Sequence, residues 1–139
     1  MLAILILFNQ AALIDEAALE VTWGDKHQLR SKIISICITL IIGLFGYLVS
    51  DFKGNQLTIN LIYGILNIIL YLGQRTLTFD YIFPAIKYKD LNSMWYLGTT
   101  DKWDIFLSQF NKYYILVVRV LVLIISILTF LLAKQLLDI

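Results

Sequence analysis

Three long stretches carry almost no polar side chains, and they govern the reading of everything between them. Ile33–Ser50 runs eighteen residues without a charge, Leu57–Gly73 runs seventeen broken only by Asn60 and Asn67, and Tyr113–Ala133 runs twenty-one with Arg119 as its one charge. A helix needs ~20 residues to cross ~30 Å of hydrocarbon, with ~17 as a lower limit. Lipid offers no partner for unpaired backbone groups, so an open strand cannot span it. The pattern therefore predicts transmembrane helices over 33–50, 57–73 and 113–133. Met1–Ile14 is also apolar apart from Asn9 and Gln10, and Asp15, Glu16 and Glu20 follow it. No basic segment precedes it and no small-x-small cleavage site follows it. Residues 1–14 read as either a short first span or a half-inserted helix.

The turn Asp51–Gln56 is too short to cross anything, so the spans 33–50 and 57–73 form a hairpin. The 39-residue segment 74–112 is the one sizeable stretch outside the three spans. Loops that long without structure are uncommon in compact proteins, so it is expected to be partly helical and held at the interface. Trp103, Phe106, Leu107 and Phe110 recur at i, i+3, i+4 and i+7, an apolar stripe on one helix face. This predicts an interfacial amphipathic helix opened by Thr100 or Asp101, running through Phe110 and able to continue into the last span. Asp101 and Asp104 have the spacing of an N-cap and its N3 partner.

Composition agrees with lipid as the solvent. Apolar residues make up 60% of the chain and charged residues 15%, against about 45–50% and 25% in soluble domains. Lipid must cover apolar surface that a domain of this size cannot bury. The net charge of +1 has no long basic run behind it, so nucleic acid is not a predicted partner. Cys37 is the sole cysteine, which excludes an intrachain disulfide and any multi-cysteine metal site. Lys26, Arg30, Lys32, Arg75, Lys87, Lys89, Lys102 and Lys112 gather on one side of the spans, and only Lys53 and Lys134 on the other. The positive-inside rule makes the richer side, with the loop 74–112, cytoplasmic or its matrix equivalent.

Polar positions within the spans are candidates for packing or chemistry. Ser35, Thr39, Gly43, Gly46 and Ser50 are spaced 4, 4, 3 and 4 apart, a stripe of small residues that lets helices approach closely. Asn60, Asn67 and Gln74 repeat every seven residues along the second span. Asn67 and Arg119 each lie six residues from the basic end of their predicted spans, so the two are expected to meet ~9 Å below it. The alternative for Arg119 is to snorkel to the interface, and an intramembrane charge is also a functional candidate. His27, Arg75, Asp80, Asp101 and Asp104 share the basic side, a donor set that could hold a divalent metal or move protons. Their spacing matches no metal or nucleophile motif. Helix caps and ion pairs are the favoured account of them, with Arg75 and Asp80 pairing with each other or with neighbouring loop backbone. No catalytic, cofactor-binding or metal residue is assigned.

The run Arg75-Thr-Leu-Thr-Phe79-Asp80, with Tyr96-Leu-Gly-Thr-Thr-Asp-Lys-Trp-Asp104 after it, resembles a pattern in small multi-span membrane proteins of unknown function from Bacteroidetes and their phages. His27, shortly before a span, fits that pattern too. An Asn often follows the Phe-Asp element there, whereas Phe83-Pro84 stands here. The resemblance implies a shared membrane architecture and no activity.

The sequence thus predicts one all-α membrane domain over 1–139, an integral helical bundle of three or four transmembrane helices with one interfacial amphipathic helix. The functional expectation is a non-catalytic subunit of a larger membrane complex that docks through 74–112. A small homo-oligomeric, holin-like pore and an enzyme acting on lipid headgroups are the alternatives. The expected partners are the bilayer and other membrane subunits or copies of itself.

Overall fold

The computed structural model describes residues 1–24, 28–92 and 102–137. Its helices are α1 (Leu2–Leu19), α2 (Gln28–Asp51), α3 (Leu57–Tyr88), α4 (Lys102–Leu107) and α5 (Lys112–Leu136), and a π-helical turn, Glu20–Gly24, extends α1. No strand occurs among the described residues. Four of the helices are long and apolar enough to cross a membrane: Leu2–Trp23, Leu29–Asp51, Leu57–Tyr88 and Lys112–Leu136. The chain is an all-α membrane bundle.

The N-terminal segment is a full-length helix. Its acidic residues do not end it, because Leu5, Asn9, Leu13, Glu16, Ala17 and Glu20 form one buried stripe, the carboxylates in line with the leucines. Helix α3 also exceeds its predicted length, passing Gly73 to end at Tyr88. Pro84 lies inside it. Proline there has no amide to bond the Asp80 carbonyl, four residues back. Lys89 then closes the helix in the left-handed region, at φ 53°, a position that glycine more commonly takes.

Helix α3 is the axis of the bundle. Leu5 packs in one core cluster with Tyr63, Leu66 and Leu70, and Leu13 and Ala17 in another with Tyr71 and Phe79, so α1 runs parallel to α3. The short turn after Asp51 makes α2 antiparallel, and α5 descends antiparallel on another side. Close approach rests on small residues. A Cβ on Gly64 would lie 2.8 Å from the Gly43 carbonyl, and one on Gly46 would lie 2.8 Å from the Tyr63 carbonyl. Of the predicted packing stripe, Gly43 and Gly46 therefore touch α3 directly, and Ser50 is fully buried. Ser35 and Thr39 are half-buried, joined by a 2.8 Å bond from the Thr39 hydroxyl to the Ser35 carbonyl. The tightest contact was not anticipated: a Cβ on Gly73 would sit 2.0 Å from Ser126 Oγ on α5.

The helix in the region predicted to run through Phe110 is shorter than expected. α4 stops at Leu107, and the amides of Gln109 and Phe110 bond three residues back, to Phe106 and Leu107. Asn111 then caps α5, its side chain accepting from the Tyr113 amide at 2.9 Å. That cap needs extended backbone at Asn111, with ψ 138°, so α4 and α5 cannot be continuous. Leu107 is buried, whereas Phe106 and Phe110 remain exposed.

Candidate functional site

Charged and amide side chains meet inside the bundle at three levels. At the level nearest the basic end of α1, Glu16 is fully buried. Its Oε2 accepts from the Tyr71 hydroxyl, and its Oε1 accepts from Arg75 Nε at 3.4 Å and Nη2 at 3.2 Å. Glu20, one turn on, lies 4.0 Å from the same Nη2. The guanidinium also covers the ring of Phe79 at 4.3 Å. Tyr71, Arg75 and Phe79 succeed each other every four residues, which brings all three to one face of α3. A lone carboxylate in this interior would be costly. Here both of its oxygens are held, and the group ties α1 to α3.

The second charged pair joins α3 to α5. Arg119 Nη2 lies 3.1 Å from Asp80 Oδ2, with the guanidinium over the Tyr81 ring at 4.9 Å. This corrects the expectation that Arg119 would meet Asn67. The depth argument placed the basic end of the second span at Gly73, and α3 continues four turns beyond it. The residue at the height of Arg119 is therefore Asp80. The expected Arg75–Asp80 pair does not form either, since each residue turns to a different neighbouring helix.

Asn67 belongs to a third, neutral level. It accepts from Asn9 Nδ2 at 3.0 Å and donates to the Ile42 carbonyl at 2.9 Å, linking α1, α2 and α3. Nearer the α2–α3 turn, Asn60 donates to Asp51 at 2.9 Å and Asn55 to the Ser50 hydroxyl at 3.0 Å. Asn60, Asn67 and Gln74 are all buried, so the seven-residue stripe faces inward.

Beside the Asp80–Arg119 pair is a cavity of about 230 Å³ between α3, α4 and α5. Apart from Thr76 and the ion pair, its walls are apolar or aromatic, among them Phe106, Phe110, Val118 and Val122.

The acidic cluster proposed from sequence is only partly visible. His27 and Asp101 lie outside the described residues, as does Thr100, and Asp104 is described only by the helical backbone of α4. Among the described residues no group of three metal-ligating side chains converges. Cys37 is exposed on α2. Sequence reading missed Glu16, Tyr71 and Asn9 as polar partners and Gly73 and Ser126 as a packing contact. A count of intramembrane charge would have pointed to the first, because Arg75 and Arg119 within helices call for two acids at matching depth.

Comparison with known proteins gives no match to any family model, curated protein or solved structure.

Proposed function

We propose that this chain is a non-catalytic integral membrane subunit that docks to other membrane proteins through the segment following α3, with that end of the bundle cytoplasmic. One observation carries the reading: buried charges pair with one another across helices, and so do two of the amides. Glu16 with Arg75 and Tyr71, Asp80 with Arg119, and Asn9 with Asn67 are contacts between helices of the same chain. Such pairs fix helix against helix, and they are a scaffold's use of intramembrane polarity.

The outer surfaces support the same reading over a pore. α2 turns Ile33, Ile36, Leu40 and Leu48 outward, and α5 turns out Val117, Leu121, Ile124 and Leu128. A ring of copies lined by these faces would present hydrocarbon to its lumen, where a conducting pore needs polar lining. Docking at the basic end is favoured by Tyr88 and Leu91, which stand 45% and 79% exposed at the close of α3. For sidedness, Arg75 is neutralised inside the bundle and can be set aside. Seven basic residues then remain at this end against Lys53 and Lys134 at the other, a bias that supports the cytoplasm or its equivalent for the richer end.

Native mass measurement after extraction in mild detergent tests the proposal. A heteromeric assembly containing one copy of the chain is the expected result. A homo-oligomeric ring, or a chain that remains alone under every mild condition, would overturn it.

A further inference from the structure

We propose that the cavity between α3, α4 and α5 is a lipid site. It takes one acyl chain of an anionic phospholipid, which runs along the slot past Arg119, with the phosphate at the Lys112 end of α5. The inference is independent of the docking role above and rests on the shape, depth and charge of the cavity.

Shape comes first. The α5 residues that line the cavity extend from Tyr114 to Val122, eight residues or ~12 Å along the helix axis. The space is therefore a slot running roughly along the membrane normal, the direction of an acyl chain. The slot holds about 230 Å³, room for a single thin chain. Apolar cavities of ~150 Å³ stay dry and accept apolar guests, and the guest abundant at this depth is hydrocarbon.

Charge selects the headgroup. Arg119 sits at the slot with its side chain only 9% exposed. A guanidinium has five N–H donors in a fixed fork, and Asp80 Oδ2 lies against one of its terminal nitrogens. Lys112 opens α5 seven residues earlier, ~10 Å nearer the water. Slots between membrane helices at the basic end are where anionic headgroups collect. Asp80 opposes an anion by its own charge, and this gives the test a variant with a predicted gain.

The test measures lipids retained by the full chain, extracted in mild detergent and offered equal amounts of phosphatidylglycerol and phosphatidylcholine, by native mass spectrometry. The expected result is one phosphatidylglycerol per chain, preferred about fivefold, the effect of roughly one added basic contact. Val118→Trp, at a half-exposed lining position, fills the slot and should abolish retention while leaving the helical circular dichroism unchanged. Asp80→Asn should strengthen the preference. Lys112→Gln, which keeps the slot, should erase the preference. Equal retention of the two lipids by the unsubstituted chain would overturn the proposal. So would undiminished retention by a folded Val118→Trp protein, which would put the lipid elsewhere on the surface.

Discussion

Replacing Arg75 with leucine separates the contribution of the buried ion pair from that of the apolar contacts around it. Glu16 has no exposed side-chain surface, so removing the guanidinium strands a carboxylate whose one remaining described partner is the Tyr71 hydroxyl. Breaking a buried pair from one side costs ~3–5 kcal/mol. Arg75 is 29% exposed, so water partly solvates the pair, and the lower end, about 3 kcal/mol, is the appropriate expectation. Lipid tails are as apolar as leucine, so little hydrophobic force holds α1 against α3 once the pair is gone. At 1.4 kcal/mol per decade, the population with α1 detached should rise roughly hundredfold. Steric trapping, with biotin labels on α1 and α3 in bicelles, reads that population directly. The double variant Glu16→Leu/Arg75→Leu removes both charges and should recover most of the loss, since apolar replacement of a buried pair is often neutral or better. If Arg75→Leu alone stays within about 0.5 kcal/mol of the parent, the scale of an ordinary surface substitution, the ion pair does not hold α1 and the reasoning fails. A double variant as unstable as the single one would sink it equally.

Gly73→Val should push α5 off α3, because even a Cβ there meets Ser126 Oγ at 2.0 Å; a loss of ~1–3 kcal/mol is expected in the same assay. Gly73→Val with Ser126→Gly should restore part of it. Asn67→Ala removes bonds to Asn9 and Ile42 at once, so its cost should reach about 1–2 kcal/mol, above the ~0.6 kcal/mol average for one interhelical bond. Exchanging the charges as Asp80→Arg/Arg119→Asp should preserve more stability than either single reversal, and equal damage in all three would show that the pair is not coupled. Cysteines placed at Lys53 and Lys87 should label from outside intact cells only at Lys53; the reverse pattern would invert the topology.

The apolar runs of α2, α3 and α5 were legible because hydropathy is a local property of the chain. The inward stripe of Asn60, Asn67 and Gln74 was legible for a related reason, since a seven-residue repeat fixes one helix face whatever lies opposite. What the chain concealed was partnership. Asp15, Glu16 and Glu20 look like the end of a membrane segment until Arg75, 59 positions from Glu16, is known to pair with Glu16 and approach Glu20. Nothing near residue 16 carries that information. The error over Arg119 came from a boundary: no strong breaker ends α3 after Gly73, and moving its end to Tyr88 replaces Asn67 with Asp80 as the residue at matching depth. The spacing over 103–110 suggested one helix through Phe110, but α4 ends at Leu107 and Asn111 caps a separate helix. Gly73 escaped notice because it stands alone, without the recurrence that marks Gly43 and Gly46 as a face.

The 32-residue length of α3 has a consequence for how the bundle sits in a bilayer. The Asp80–Arg119 pair registers α3 against α5. Eight residues separate Asp80 from Tyr88 and seven separate Lys112 from Arg119, so the two helices finish within about 2 Å of each other at the basic end. At the other end Leu57 lies ~34 Å from Asp80, whereas Leu136 lies only ~25 Å from Arg119. The surplus of about 9 Å therefore emerges on one side alone. Even at a 40° tilt, the steep end of the usual range, α3 would still cover ~37 Å of normal against ~30 Å of hydrocarbon. The α2–α3 hairpin must consequently stand proud of the leaflet opposite the basic end, lifting Lys53 and Asn55 clear of the acyl chains. A thicker membrane would swallow this overhang and a thinner one would lengthen it, so the height of the hairpin above the surface is a gauge of the bilayer the protein inhabits.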